Sequence, residues 1–204
     1  MPRFIINTDR EERILKLADK HVIVARHIVA ADTCRSAAYR AAKKLRTQGR
    51  LRAVGFVRGV SGRPEIAYCN SWRPRSNQLL HEVRLTDFLL CYAQAEIVRG
   101  WQVDSRIRPD AEMTLGGQKF FVELDTGEQS YRQVEQRQRA YESVKELLLY
   151  VTSTETRLAG LMQHSSAVRS IAFFTTLDRV LRDPQGEVWT DCFGNVVSLT
   201  KGAL

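Results

Sequence analysis

The four cysteines of this 204-residue chain, Cys34, Cys69, Cys91 and Cys192, lie far apart, with no Cys-x-x-Cys pair and no histidine at zinc-finger spacing. A disulfide framework and a structural zinc site are therefore not expected, and the thiols should be reduced. No apolar run approaches the length of a membrane span; Leu147-Leu148-Leu149-Tyr150-Val151 is far too short. A secretory signal is not expected either, because Phe4-Ile5-Ile6 is followed at once by the charged run Asp9 to Arg13. There is no internal repeat and no low-complexity segment. These absences lead to the expectation of a soluble, cytoplasmic protein with no membrane insertion, built as one large domain or two small ones.

Acidic residues are scarce in the first part of the chain. Met1 to Leu80 holds 17 Lys and Arg against 6 Asp and Glu, a net of +11, whereas His81 to Leu204 holds 14 against 17, a net of −3. A basic first part suggests a grip on a polyanion, with nucleic acid the expected partner, and a different task for the second part. Ser71 to Asn77 is the expected linker, dividing the chain into 1–75 and 76–204.

Within the first part, Thr8 or Asp9 can cap a helix whose apolar face is Ile14, Leu15, Leu17 and Ala18. A short helix is predicted over Ala25 to Ala30. Asp32-Thr33 offers another cap for an alanine-rich helix from Cys34 to Gln48, ended by Gly49. On this third helix Ala38, Ala41, Ala42 and Leu45 form a narrow apolar stripe, with Arg35, Ser36, Tyr39, Arg40 and Lys43 on the other side. Two strand-like runs, Arg50 to Arg58 and Glu65 to Asn70, flank the turn Val60 to Pro64 and complete a winged-helix pattern. The third helix would enter a major groove and the wing would meet phosphate. Arg35, Ser36, Tyr39, Arg40 and Lys43 are the candidate groove and backbone contacts, with Lys44, Arg46, Arg58 and Arg63 supplying charge.

The second part carries the chemistry-bearing pattern. A long helix is predicted from Leu79 to Arg99, then a strand around Trp101 to Ile107, then a β-hairpin around Gly116-Gly117. A helix from about Ser130 to Tyr150, a strand at Ile171 to Phe174 and a short Val188-Trp189-Thr190 segment complete an α/β (α+β overall) pattern. On the second hairpin arm, alternation places Lys119, Phe121, Glu123 and Asp125 on one face and Phe120, Val122 and Leu124 on the other. On the first arm, Asp110, Glu112 and Thr114 share a face, so pairing would bring Asp110 close to Glu123 and Asp125. Carboxylates ending a run of strand formers need a partner, and an oxygen-rich cluster suits Mg²⁺ or Mn²⁺. A solvated hairpin with an acidic outer face is the simpler alternative.

His81-Glu82-Val83-Arg84-Leu85-Thr86-Asp87, Trp101, Arg108-Pro109-Asp110-Ala111, the run Phe120 to Gly127 and the spacing of Arg137 and Tyr141 together resemble the replication-relaxation family of plasmid proteins and the related MOBC-class relaxases. The resemblance covers most of the chain and rests on the order and spacing of these motifs. It implies an N-terminal winged helix-turn-helix joined to a restriction-endonuclease-like PD-(D/E)xK core, plasmid or integrative-element transfer, and nicking at a transfer origin. It also implies that Asp110 is the Asp of the Pro-Asp step, Glu123 the (D/E) position and Glu82 the helix acid completing a metal site. The chain departs from the pattern at Asp125, where a lysine would steady the attacking hydroxide. Lys119 and Arg137 are the candidate replacements.

The histidines, His21, His27, His81 and His164, contain no His-hydrophobic-His pair of the kind that holds metal in the commoner relaxases. Tyr131 and Tyr141 are the candidate nucleophiles if cleavage is covalent; metal-activated water is the simpler nucleophile. Two functions follow as expectations. One is a metal-dependent DNA-nicking endonuclease in which Glu82, Asp110, Glu123 and Asp125 hold Mg²⁺ or Mn²⁺. The other is a non-catalytic DNA-binding accessory protein or transcriptional regulator on a degenerate nuclease core. Double-stranded DNA at a transfer origin or operator is the expected partner of both, with other mobilization proteins and a second copy of the chain as further partners.

Overall fold

The computed structural model of the protein describes residues 8–32, 34–59, 62–102 and 107–199. The chain divides into two compact units, Met1–Asp87 and Phe88–Leu204. The division falls inside a helix rather than in the polar stretch after Asn70.

In the first unit, helix α1 (Asp9–Lys20) begins with a reciprocal cap. The Thr8 hydroxyl accepts the Glu11 N–H and the Glu11 carboxylate accepts the Thr8 N–H. Helices α2 (Ala25–Ala30) and α3 (Arg35–Thr47) follow, close to their predicted positions. The cap position of α3 is Cys34, whose N–H donates to Asp32; Thr33 lies outside the described residues. Beyond α3, Gly49 takes a left-handed conformation (φ 70°) that a side chain would resist, and the helix ends there.

Strands β1 (Ala53–Arg58) and β2 (Pro64–Tyr68) pair antiparallel, and Ile23, between α1 and α2, bridges to Tyr68 through two backbone hydrogen bonds of 2.9 and 2.8 Å. The alanine stripe of α3 is buried as expected: Ala38, Ala42 and Leu45 pack with Ile14 and Ala18 of α1. Small side chains let the helices approach closely, while burying Leu45 alone contributes about 1.5–3 kcal/mol. A bulge between Ala53 and Gly55 lets both Val54 and Val57 point inward. Against them pack Leu79 and Val83 at the start of α4 (Leu79–Leu90).

The long helix expected to reach Arg99 stops at Leu90, and Glu96–Arg99 is instead strand β3. Ile97 and Val98 are β-branched neighbours that suit a strand pairing with β4 (Ala111–Leu115) better than a continuing helix. The strand predicted around Trp101 to Ile107 falls largely outside the described residues. Gly100–Gln102 is a single 3₁₀ turn, and 103–106 lie outside the described residues.

Strand β5 (Gln118–Asp125) pairs antiparallel with β4 across Gly116-Gly117, both at positive φ (58° and 84°), as a two-residue hairpin of this hand demands. Helix α5 (Tyr131–Gln138) and one 3₁₀ turn (Arg139–Tyr141) lead to β6 (Leu147–Thr152). The predicted helix to Tyr150 is therefore too long by a strand. Residues 148–152 are buried on both faces, so their apolar run carries no period by which to tell helix from strand.

Helix α6 (Glu155–Gln163), strand β7 (Ala172–Thr176), helix α7 (Leu177–Arg182) and strands β8 (Trp189–Asp191) and β9 (Val196–Val197) complete the unit. The sheet runs β3-β4-β5-β6-β7-β8-β9: an antiparallel meander, then three parallel strands, then an antiparallel end. Helices α5 and α6 are the crossovers that parallel pairing requires. The protein is thus mixed α/β. No helix among the described residues is long and apolar enough to cross a membrane.

Candidate functional site

Helix α3 presents one face to the core and one to solvent. Arg35, Ser36, Arg40, Lys43 and Arg46 are exposed, and Tyr39 is partly so, with the Arg35 guanidinium 5.8 Å from its ring centre. Arg40, Lys43 and Arg46 have no acidic partner among the described residues. Lys44 differs: its ammonium pairs with Glu11 at 2.6 Å and holds that carboxyl below its ordinary range, so it ties α3 to α1. Asp32, at the start of α3, is engaged by Arg10, which draws its pKa down to about 2. The acids nearest this helix, Glu11 and Asp32, are therefore committed to Lys44 on its α1-facing side and to Arg10 of α1, and the net charge of its outer face is positive. Arg58 and Arg63 are exposed on either side of the turn between β1 and β2.

A second constellation in this unit was not anticipated. The Asp87 carboxylate accepts both Nε–H and Nη2–H of Arg26 (2.8 and 2.7 Å) and bonds His27 Nε2 at 2.7 Å. The Val24 N–H donates to His27 Nδ1, which leaves Nε2 to carry the proton toward Asp87. Burial pushes the Asp87 carboxyl up, but His27 and Arg26 outweigh it and hold it below the usual range. These residues fasten α2 to α4 and act in the architecture of the unit.

In the second unit the hairpin brings Asp110 and Glu123 together as the side-chain alternation predicted. Gly100 makes this possible. A Cβ there would fall 1.7 Å from the Pro109 carbonyl oxygen, while its N–H donates to Asp110 O at 3.1 Å. Asp110 prolongs the pairing beyond β4: its N–H donates to Val122 O, and its carboxylate accepts the Leu124 N–H at 2.8 Å.

Glu123 is only 3% exposed, among Phe121, Tyr150 and the residues of α5 and the turn after it. Both of its oxygens are engaged. Arg137 of α5 donates to one and Tyr141 Oη–H to the other, at 2.6 Å. Burial, helped by the nearby Asp110 charge, pushes Glu123 up to about 7 against the pull of Arg137 and Tyr141. Burial and the same carboxylate push the Tyr141 phenol up as well. Tyr141 therefore acts as a hydrogen-bond donor; a phenolate nucleophile is strongly disfavoured at this position.

Asp125 is fixed separately. One oxygen accepts Nε–H and Nη2–H of Arg157 (3.0 and 2.8 Å), and the other accepts the Gly127 N–H. Arg157 also lies 4.3 Å from the ring centre of Tyr131, which in turn stacks on His164 at 4.7 Å. The second candidate tyrosine is thus packed between a guanidinium and an imidazole.

Among the candidate catalytic residues, Asp110, Glu123 and Arg137 are brought together, and Asp125 is held at the end of the same strand. Lys119 is not part of this group. It pairs with Glu112 at 2.6 Å and covers the Phe121 ring, so of the two groups considered for the missing lysine only Arg137 reaches Glu123. Glu82 belongs to the first unit. A cation at Glu123 would have to displace a guanidinium and a phenol, and Asp125 already faces Arg157. Among the described residues no three His, Cys, Asp or Glu side chains are grouped to hold a metal.

Arg157 went unrecognised in the sequence because it is far from Asp125 along the chain; its only local signal is an arginine in the first turn of a helix. A comparison with protein-family models gives no match for this chain, and a comparison with curated proteins gives none either.

Proposed function

We propose that the protein is a DNA-binding protein whose first unit is a winged helix, and that its second unit is a PD-(D/E)xK-type core serving as an accessory or regulatory module rather than a nuclease. The observation that carries the reading is α3. Its alanine face is buried, and its opposite face offers Arg40, Lys43 and Arg46, none with an acidic partner among the described residues, together with the exposed Arg35. The order α1, Ile23 bridge, α2, α3, β1, β2 supports the winged-helix assignment. In the second unit, the β3-β4-β5 meander, α5 and parallel β6 support the PD-(D/E)xK assignment that the family resemblance implies. The engagement of Glu123, Asp125 and Asp110 by protein donors supports the non-catalytic assignment. Titration of a labelled duplex at increasing salt tests it. Affinity should fall steeply with salt, because each neutralised phosphate releases counterions, and an Arg40→Ala/Lys43→Ala double variant should bind weakly. Salt-insensitive binding, or none, would overturn the reading.

A metal-dependent nicking activity at a transfer origin is the second reading, favoured by the juxtaposition of Asp110 and Glu123 on paired strands. It requires Glu123 to exchange its bonds to Arg137 and Tyr141 for a cation, and strand scission decides it.

A further inference from the structure

Residues 33–64, which supply α3, β1 and the turn beyond it, contain nine Lys and Arg and no Asp or Glu. Two aromatic side chains stand in solvent within that stretch: Tyr39 on α3 and Phe56 on β1. Phe56, 70% exposed, is the most exposed large apolar side chain among the described residues. It sits within a strand, opposite Ile66 of β2, and Arg58 follows it on the same face. Val57 and Ala67 are buried on the other face, so strand alternation fixes Phe56 outward.

Resting on the DNA-binding reading above, we propose that the outward face of the β1–β2 ribbon is a stacking platform for an unpaired nucleotide. Phe56 lies under the base and Arg58 beside its phosphate, so the protein prefers a duplex with a single-stranded tail to an uninterrupted one. Base faces inside a duplex are covered by their neighbours; only an unpaired base offers its π-face to a ring on a flat surface. A wedge driven into a minor groove would be carried at the tip of the turn, and Phe56 precedes that turn. Arg58 and Arg63 place exposed positive charge after the ring along the chain, and Arg52 adds charge before it, with its guanidinium held by the Cys69 and Trp72 carbonyls.

Fluorescence anisotropy with the full chain tests this, using a blunt duplex and the same duplex carrying a short oligothymidine tail on either strand. The tailed duplex should bind at least about five-fold more tightly. Phe56→Ala should lose that preference while holding blunt-duplex affinity within about two-fold, and Phe56→Trp should restore it. Equal affinity of the unaltered protein for both duplexes overturns the platform and leaves the DNA-binding reading intact; failure to bind either overturns both. An equal loss on both duplexes in Phe56→Ala would mean a groove contact. A change in its sedimentation with tailed-duplex binding unaltered would mean a protein contact. Either outcome overturns the proposal.

Discussion

The two units use charge in opposite ways. On the first, α3 buries alanines and turns Arg35, Arg40, Lys43 and Arg46 to water, while the local acids Glu11 and Asp32 are tied to Lys44 and Arg10. In the second, the acids themselves turn inward: Glu123 ends at Arg137 and Tyr141, Asp125 at Arg157, and Asp110 at a backbone N–H. Exposed charge of one sign is available to a ligand and contributes little to stability. Buried charge with every partner in place is committed to the fold, and removing one member leaves the others desolvated. A carboxylate motif in a sequence therefore has two meanings, and the donors that the fold delivers decide between them.

The contrast breaks most visibly if Glu123 is not structural. Glu123→Ala leaves a cavity, an unpaired Tyr141 hydroxyl and an uncompensated Arg137. It should destabilise the second unit by about 3–5 kcal/mol, read by urea unfolding; a change below about 1 kcal/mol would contradict the account. Asp87→Ala should cost about 2–3 kcal/mol in the first unit by stripping Arg26 and His27 of their shared partner. Because the Asp87 pKa is depressed, its contribution is present at neutral pH and should be lost as pH falls below about 4.

On the exposed side, Arg40→Ala/Lys43→Ala should leave the unfolding midpoint in place, weaken duplex binding by about ten-fold and flatten the salt slope by about two. For Glu123 the pH effect has the opposite sign to that of Asp87. Its folded pKa lies above the ~4.3 of an unfolded glutamate, so ionisation is disfavoured in the fold. Its stabilising contribution is then complete below pH ~4 and declines as pH rises toward about 7. Glu123→Gln, which keeps the volume, should remove that decline in a pH series of melting curves. The smallest effect belongs to Lys119→Ala, within about 0.5 kcal/mol, since its pair with Glu112 is partly exposed.

The first unit was legible in the sequence because its signals are local. Thr8, one of two cap candidates, caps α1, Ala38, Ala41, Ala42 and Leu45 mark one face of α3, and Gly49 stops it. In the second unit the local signals mislead. Leu147 to Tyr150 reads as the end of a helix because a strand buried on both faces loses its alternation, and the helical pattern of α4 runs on through residues that turn and pair as β3. Parity in the hairpin did place Asp110 beside Glu123, and one helical turn past the first of α5 carried Arg137 to it. The missing piece was Arg157. Its pairing with Asp125 depends on the parallel alignment of β5 and β6 and on α6 starting just after β6, which no short-range pattern encodes.

The most direct test of the central claim is a nicking assay on a supercoiled plasmid carrying the DNA that flanks the protein's own coding sequence. It is run with Mg²⁺, Mn²⁺ or chelator at a salt concentration where binding to that plasmid is demonstrated. The account predicts intact supercoils in every condition despite binding; metal-dependent relaxation that disappears in Glu123→Gln would contradict it and make the buried carboxylate a catalytic one.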